Sequence, residues 1–156
     1  MDIATRRLLL HKYIAGPQVI VDTLNRIGAA ALDRKPSPKD WSPREIVHHL
    51  ADSEMTSAIR LRRLLAEDHP LIVGYNEEEF ARRLYYDRPV QASLEAIKAA
   101  RATSAEILAR IPEADWLREG AHSESGPYTV ETWLEIYAAH CHDHADKMLQ
   151  VAPTGR

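Results

Sequence analysis

The chain is 156 residues long, with 45% hydrophobic and 28% charged residues, so it can bury a substantial core and is too apolar for wholesale disorder. Its formal net charge is -3 and its cations form no long basic run, which argues against a partner held by its phosphate backbone, so no nucleic acid is expected. A single cysteine, Cys141, rules out an intramolecular disulfide and suits a reducing, cytoplasmic setting, and residues 1–156 read most simply as one domain.

In chain order, MDIATRRLLLHKYIAG sets a short apolar LLL between Arg6, Arg7 and His11, too polar and too brief for a signal-peptide core or a membrane span. Ile20, Leu24, Ile27 and Ala31 then recur at helical spacing. They predict a first helix from about Pro17 to Leu32, with Pro17 in its first turn. DRKPSPKDW is a connector, because Pro36 and Pro38, two prolines within three positions, suit no helix interior. Ser42, Pro43 and Glu45 form a helix start, and the apolar stripe from Ile46 to Leu65 predicts a second helix running towards Pro70.

Residues from about His69 to Pro89 read as a long crossover with a short helix near Glu77 to Leu84. Leu94, Ile97, Ala100 or Arg101, Ser104 and Leu108 mark a third helix over Gln91 to Arg110. IPEADWLREGAHSESGPYT reads as a loop with one helical turn near Glu113 to Leu117. Thr129 offers an N-cap for a fourth helix that runs to about Val151, with Pro153 as its stop. No strand of convincing alternation is visible. The fold expected is all-α, a four-helix bundle with a long crossover between the second and third helices.

Three histidines crowd the fourth helix in YAAHCHDHADK. On a helix His140 and His144 share one face with Trp133, Ile136 and Tyr137, while His142 is turned about 160° away from each. Imidazoles one turn apart can reach one cation, as in the helical HExxH motif, but no Glu follows His140, so the general base built into that motif is missing. A third ligand has to come from another helix. His48 and His49 in REIVHHLADSE flank the apolar stripe of the second helix on either side, and helical phase does not choose between them.

Other polar groups near these histidines have plainer roles. Asp52 and Asp143 suit helix-surface solvation better than the orientation of an imidazole, and Cys141 suits a small buried hydrophobe. Glu54 reads as an exposed ion-pair partner of arginines, and Arg60, Arg62 and Arg63, with Glu67 and Asp68 nearby, as a solvated face. Trp41, Trp116, Trp133, Tyr85 and Tyr86 read as core or pocket wall.

WSPREIVHHLADSEMTSAIRLRRLLAEDHP, the following GYNEEEF, and TVETWLEIYAAHCHDHADKM together resemble the DinB superfamily, in particular its YfiT-like branch of metal-dependent hydrolases, over about Pro17 to Leu149. The resemblance implies a divalent ion, nickel or zinc, held by the histidine preceding Leu in HLAD, which is His49, together with His140 and His144. His48 and His142 then become neighbours of the site. It also implies a homodimer.

Three neutral imidazoles leave a bound ion charged and open to a further ligand, which suits a catalytic centre. The expected function is therefore a metal-dependent hydrolase that activates water against a small-molecule substrate. One alternative is a thiol S-transferase that presents a low-molecular-weight thiol to an electrophile, an activity the resemblance also brings. Another is a bundle that binds metal or ligand without turnover, since no general acid or base stands out beside the three histidines.

Overall fold

The computed structural model describes residues 1–151. Its helices are α1 (Ile3–Ile27), α2 (Pro43–Ala66), the short α3 (Glu77–Arg83), α4 (Gln91–Leu108) and α5 (Val130–Leu149), and the four long ones form a bundle. Side-chain contacts fix their directions. His48 meets Ser93 and Arg62 meets Ser104, so α2 and α4 run parallel. His49 meets His140 while Ser57 meets Trp133, so α5 runs antiparallel to α2. Arg6 meets Glu131 and Lys12 meets His142, which makes α1 parallel to α5. Two parallel neighbours need a link that travels back along the bundle, which is why the connection between α2 and α4 is long. Among the described residues no helix is long and apolar enough to cross a membrane.

Helix ends follow local chemistry. Ser42 Oγ accepts from the Glu45 N–H and the Glu45 carboxylate accepts from the Ser42 N–H, the reciprocal capping box its sequence predicts. Thr129 caps α5 through Thr132 N, and Gly28 ends α1 at φ 76°, a left-handed conformation that favours glycine. Pro153, the expected stop of the last helix, lies outside the described residues.

Two expectations are corrected. The first helix begins at Ile3, and Pro17 lies in its interior, not in its first turn. A proline there cannot donate to the carbonyl four residues back, yet the freed Tyr13 carbonyl accepts instead from Arg101 Nη1 at 2.6 Å. A buried side chain on another helix therefore replaces the missing bond, and no local pattern around Pro17 reveals it.

The second correction is a small sheet. β1 (Leu71–Ile72) pairs parallel with β2 (Glu119–His122), which pairs antiparallel with β3 (Gly126–Thr129). Strands this short, carrying Gly120, Gly126 and Pro127, show no alternation to read. Through this sheet the α2–α4 crossover is stitched to the hairpin that precedes α5.

Two apolar clusters fill the bundle. One gathers Tyr13, Leu61, Leu64, Trp133, Leu134 and Tyr137, the other Ile20, Val47, Leu50, Ile97, Cys141 and Met148. Between them along α2 and α4 lies a polar layer in which Arg101, 1% exposed, donates to Glu54 Oε1 at 2.6 Å and to the Tyr137 carbonyl at 2.7 Å. Gly16 of α1 leaves room for it, since a Cβ there would stand 2.3 Å from Arg101 Nη1. An alanine in a helix interior normally stabilises by about 1 kcal/mol relative to glycine. Here the sign inverts. Gly16→Ala is expected to lose about 1–3 kcal/mol by displacing the guanidinium, read as a lower midpoint in thermal or urea unfolding.

Candidate metal centre

α2 and α5 face each other along one edge of the bundle, and there His49, His140 and His144 converge. Each offers a ring nitrogen, and these lie within 4.8 Å of one another. The Nε2 atoms of His49 and His140 are 3.4 Å apart, close to the roughly 3.3 Å expected of two nitrogens on one tetrahedral ion at ~2.0–2.1 Å. His49 and His144 are buried at 1% and 7% exposure, while His140 keeps an edge open, with 19% of its side chain exposed. The Nδ1 atoms of all three are buried without a hydrogen-bond partner.

Burial keeps two of these rings neutral. Burial, then the neighbouring His140 and Lys147, pushes His49 down to about 3, and burial with His140, His49 and Lys147 pushes His144 down to about 2. Neutral imidazoles with lone pairs directed at one another are the donor form a cation needs, so these residues fit a divalent metal.

The choice between the paired histidines of α2 follows from hydrogen bonding. His48 Nε2–H donates to the Arg88 carbonyl at 2.9 Å, so its Nδ1 accepts from Ser93 Oγ at 2.8 Å and no ring nitrogen is left over. Both histidines are buried, because α4, α5 and the crossover all pack on this part of α2, and that is why helical phase alone was ambiguous. His142 turns away as expected and donates Nε2–H to the Lys12 carbonyl at 3.1 Å.

The surrounding groups hold several surprises. Glu54 is fully buried, not exposed; its Oε1 receives Arg101 and lies 3.9 Å from His140 Nδ1, while its Oε2 has no partner. The signal was Arg101 standing within the apolar stripe of its helix, since a buried cation demands a carboxylate. Asp52 is also buried, not solvated, and accepts from the Tyr86 hydroxyl at 2.7 Å. Asp143 is exposed, as expected.

Cys141 is a buried thiol that burial pushes up to about 12, which makes it a poor nucleophile and a poor ligand at neutral pH. Trp41 lies 4.7 Å from His49, centroid to centroid, and walls the site, while Trp116 and Trp133 belong to the core. Tyr85 is 76% exposed, so only Tyr86 of that pair is a buried wall. A concavity of about 780 Å³ runs between α1 and α4, away from the histidines, and no histidine or cysteine is among its lining residues.

The family model of the DinB superfamily matches residues 13–148. A protein of Oceanobacillus iheyensis provisionally named a metal-dependent hydrolase is 32% identical over 128 residues, 82% of this chain and 74% of that one. A relative of the same provisional name from Bacillus mycoides is 30% identical over 134 residues, 81% of this chain and 78% of that one. Among solved structures, YfiT from Bacillus subtilis, described as a probable metal-dependent hydrolase with an unusual four-helix bundle topology, is similar at a TM-score of 0.90 and 22% identity. That likeness covers 97% of this chain and 87% of YfiT, and it concerns the fold.

The depressed histidines make metal-free protein acid-sensitive. Between about 3 and the ordinary 6.5 the unfolded chain binds protons that the folded rings refuse, so stability is full above 6.5 and falls as pH drops below it. The unfolding free energy of metal-free protein, read from urea titrations, is expected to fall from neutral pH to about pH 5 by up to about 1.4 kcal/mol per pH unit for each histidine, and His144→Asn should flatten that slope.

Proposed function

The chain belongs to the DinB superfamily, and from that premise we propose that it is a metal-dependent hydrolase in which His49, His140 and His144 hold one divalent cation. The observation that carries this is the convergence of three imidazoles from two helices, two of them buried and held neutral, on one point. The provisional names of its relatives support it. An all-imidazole donor set suits nickel or zinc and disfavours magnesium or calcium, which prefer oxygen. A cation bound there supplies Lewis acidity, polarising a carbonyl and easing the deprotonation of water.

The protein's own groups divide the remaining work. Trp41 packs on His49 with Tyr86 behind it and shields that side of the ring from water, and the exposed edge of His140 marks the side open to substrate. Ligation through Nε2 leaves the proton of His140 on Nδ1, and the Glu54 carboxylate 3.9 Å away is placed to orient that ring. Arg101 in turn fixes Glu54. The substrate is taken to be a small molecule and the protein a cytoplasmic homodimer; the last point rests on family resemblance alone.

Metal analysis after overexpression in nickel- and zinc-supplemented medium is expected to give about one equivalent in the wild type and far less in His49→Ala, His140→Ala and His144→Ala. His48→Ala should lose stability yet keep its metal. Glu54→Gln should weaken metal binding by about 10–100-fold in chelator competition. Loaded protein should cleave activated esters or amides and the histidine variants should not. Turnover of a thiol with an electrophile in place of ester cleavage would assign the centre to S-transfer, and silence in both assays with metal bound would leave a binding protein.

A further inference from the structure

Beside the histidine cluster, the same edge of the bundle carries a second group of polar side chains. His49, Ser53 and Arg60 stand at i, i+4 and i+11 on α2, and eleven helical steps return to within about 20° of the starting direction. Arg60 is not part of the solvated face that its sequence neighbourhood suggests. Its Nη1 donates to the Tyr137 hydroxyl at 3.2 Å, its Nη2 to the Val73 carbonyl at 2.8 Å, and its guanidinium carbon lies 5.9 Å from the centre of the Tyr75 ring. Its Nε is buried without a partner. All these described neighbours are uncharged, whereas Arg63, one turn further on, is paired with Glu67.

Two of the hydroxyls near Arg60 also lack a partner of ordinary hydrogen-bond geometry. Tyr75 and Tyr128 each bury a hydroxyl that has no partner, and Tyr128 is only 2% exposed. Burial pushes Tyr75 up to about 12 and raises Tyr128 and Tyr137 as well, so all three stay protonated at neutral pH, and the charge of Arg60 bears on each. Ser53 interacts with Tyr75 and Tyr137, and Tyr137 with Tyr128, so the group is a partly buried cation ringed by hydroxyls, and the partner such a set of donors matches is an oxyanion.

The group is coupled to the histidines by position. Tyr137 precedes His140 by one turn of α5, and their rings are 5.9 Å apart, edge to face. Tyr75 comes from the α2–α4 crossover and Tyr128 from the hairpin, the two segments that the small sheet ties together. We propose that Arg60 and the hydroxyls of Tyr75, Tyr128 and Tyr137 form a carboxylate-binding subsite beside the histidine cluster, so that the substrate is an ester or amide carrying a carboxylate a few atoms from the bond that breaks. The subsite is defined by residues outside the cluster; its role in choosing a hydrolysed substrate rests on the function proposed above.

The test pairs a binding measurement with a selectivity measurement on full-length, metal-loaded protein. Glutarate binding is followed by calorimetry, and cleavage of the mono-para-nitrophenyl ester of glutaric acid is compared with that of para-nitrophenyl butyrate. Arg60→Gln is expected to weaken glutarate by roughly tenfold or more and to lower the kcat/KM ratio of the anionic over the neutral ester by a similar factor. Arg60→Lys should recover part of both, and Tyr137→Phe should show a smaller loss in the same direction. Metal content and melting temperature of each variant are recorded alongside, and if Arg60→Gln does not fold, Tyr137→Phe and Arg60→Lys carry the comparison.

If wild-type protein fails to bind glutarate, or if folded variants bind it as well as the wild type, the subsite is overturned. Glutarate binding that depends on Arg60 in a protein that cleaves neither ester upholds the subsite and sinks the hydrolase. Cleavage of both esters with no change in selectivity on altering Arg60 does the reverse.

Discussion

Arg101 ties the four long helices to one point. From α4 its guanidinium donates to the Tyr13 carbonyl of α1, the Glu54 carboxylate of α2 and the Tyr137 carbonyl of α5, and it lies 4.4 Å from the centre of the Tyr13 ring. A buried ion pair is a weak source of net stability, because desolvation offsets most of the Coulombic gain. Its larger effect is on register. Pro17 leaves the Tyr13 carbonyl free, Gly16 lacks a Cβ and Glu54 faces inward, and all three conditions are met together in this alignment of the helices. An apolar layer could slide by a turn with less penalty than this polar one.

That alignment is what holds the histidines in place. Glu54 lies in contact with Arg101 on one side and within 3.9 Å of His140 Nδ1 on the other, so the layer that sets helix register also faces the cluster. The cluster is an unfavourable arrangement for the bare protein, with the Nε2 atoms of His49 and His140 3.4 Å apart and two rings held neutral well below their ordinary range. Strain of this kind persists where the surrounding structure over-determines it, and a cation would relieve it. The apolar groove between α1 and α4 contains no comparable cluster of metal-ligating side chains.

The parallel arrangement of α2 and α4 has a second consequence. The long connection it requires folds back over the α2–α5 edge, bringing Val73 and Tyr75 to Arg60. The hairpin before α5 is fastened to that connection by the β1–β2 pairing and contributes Tyr128. Connections that a bundle needs for topology thus become the outer wall of its polar edge.

Helix identity, the capping box at Ser42, the long crossover and the pairing of His140 with His144 were legible in the residues themselves, because helical periodicity and capping are local and repeat within a turn or two. Membership of the cluster on α2 was legible only through the family resemblance of HLAD, not from helical phase: His48 and His49 are equally buried, and what separates them is that Ser93 and the Arg88 carbonyl, some forty residues on, occupy both nitrogens of His48. The inward turn of Glu54, the continuation of α1 through Pro17 and the uncompensated charge of Arg60 were hidden for the same reason. A sequence determines what each residue can donate, accept or bury. Which partner satisfies it is decided only when distant segments meet, and in this chain that decision selects His49 for the cluster and assigns His48 to the scaffold.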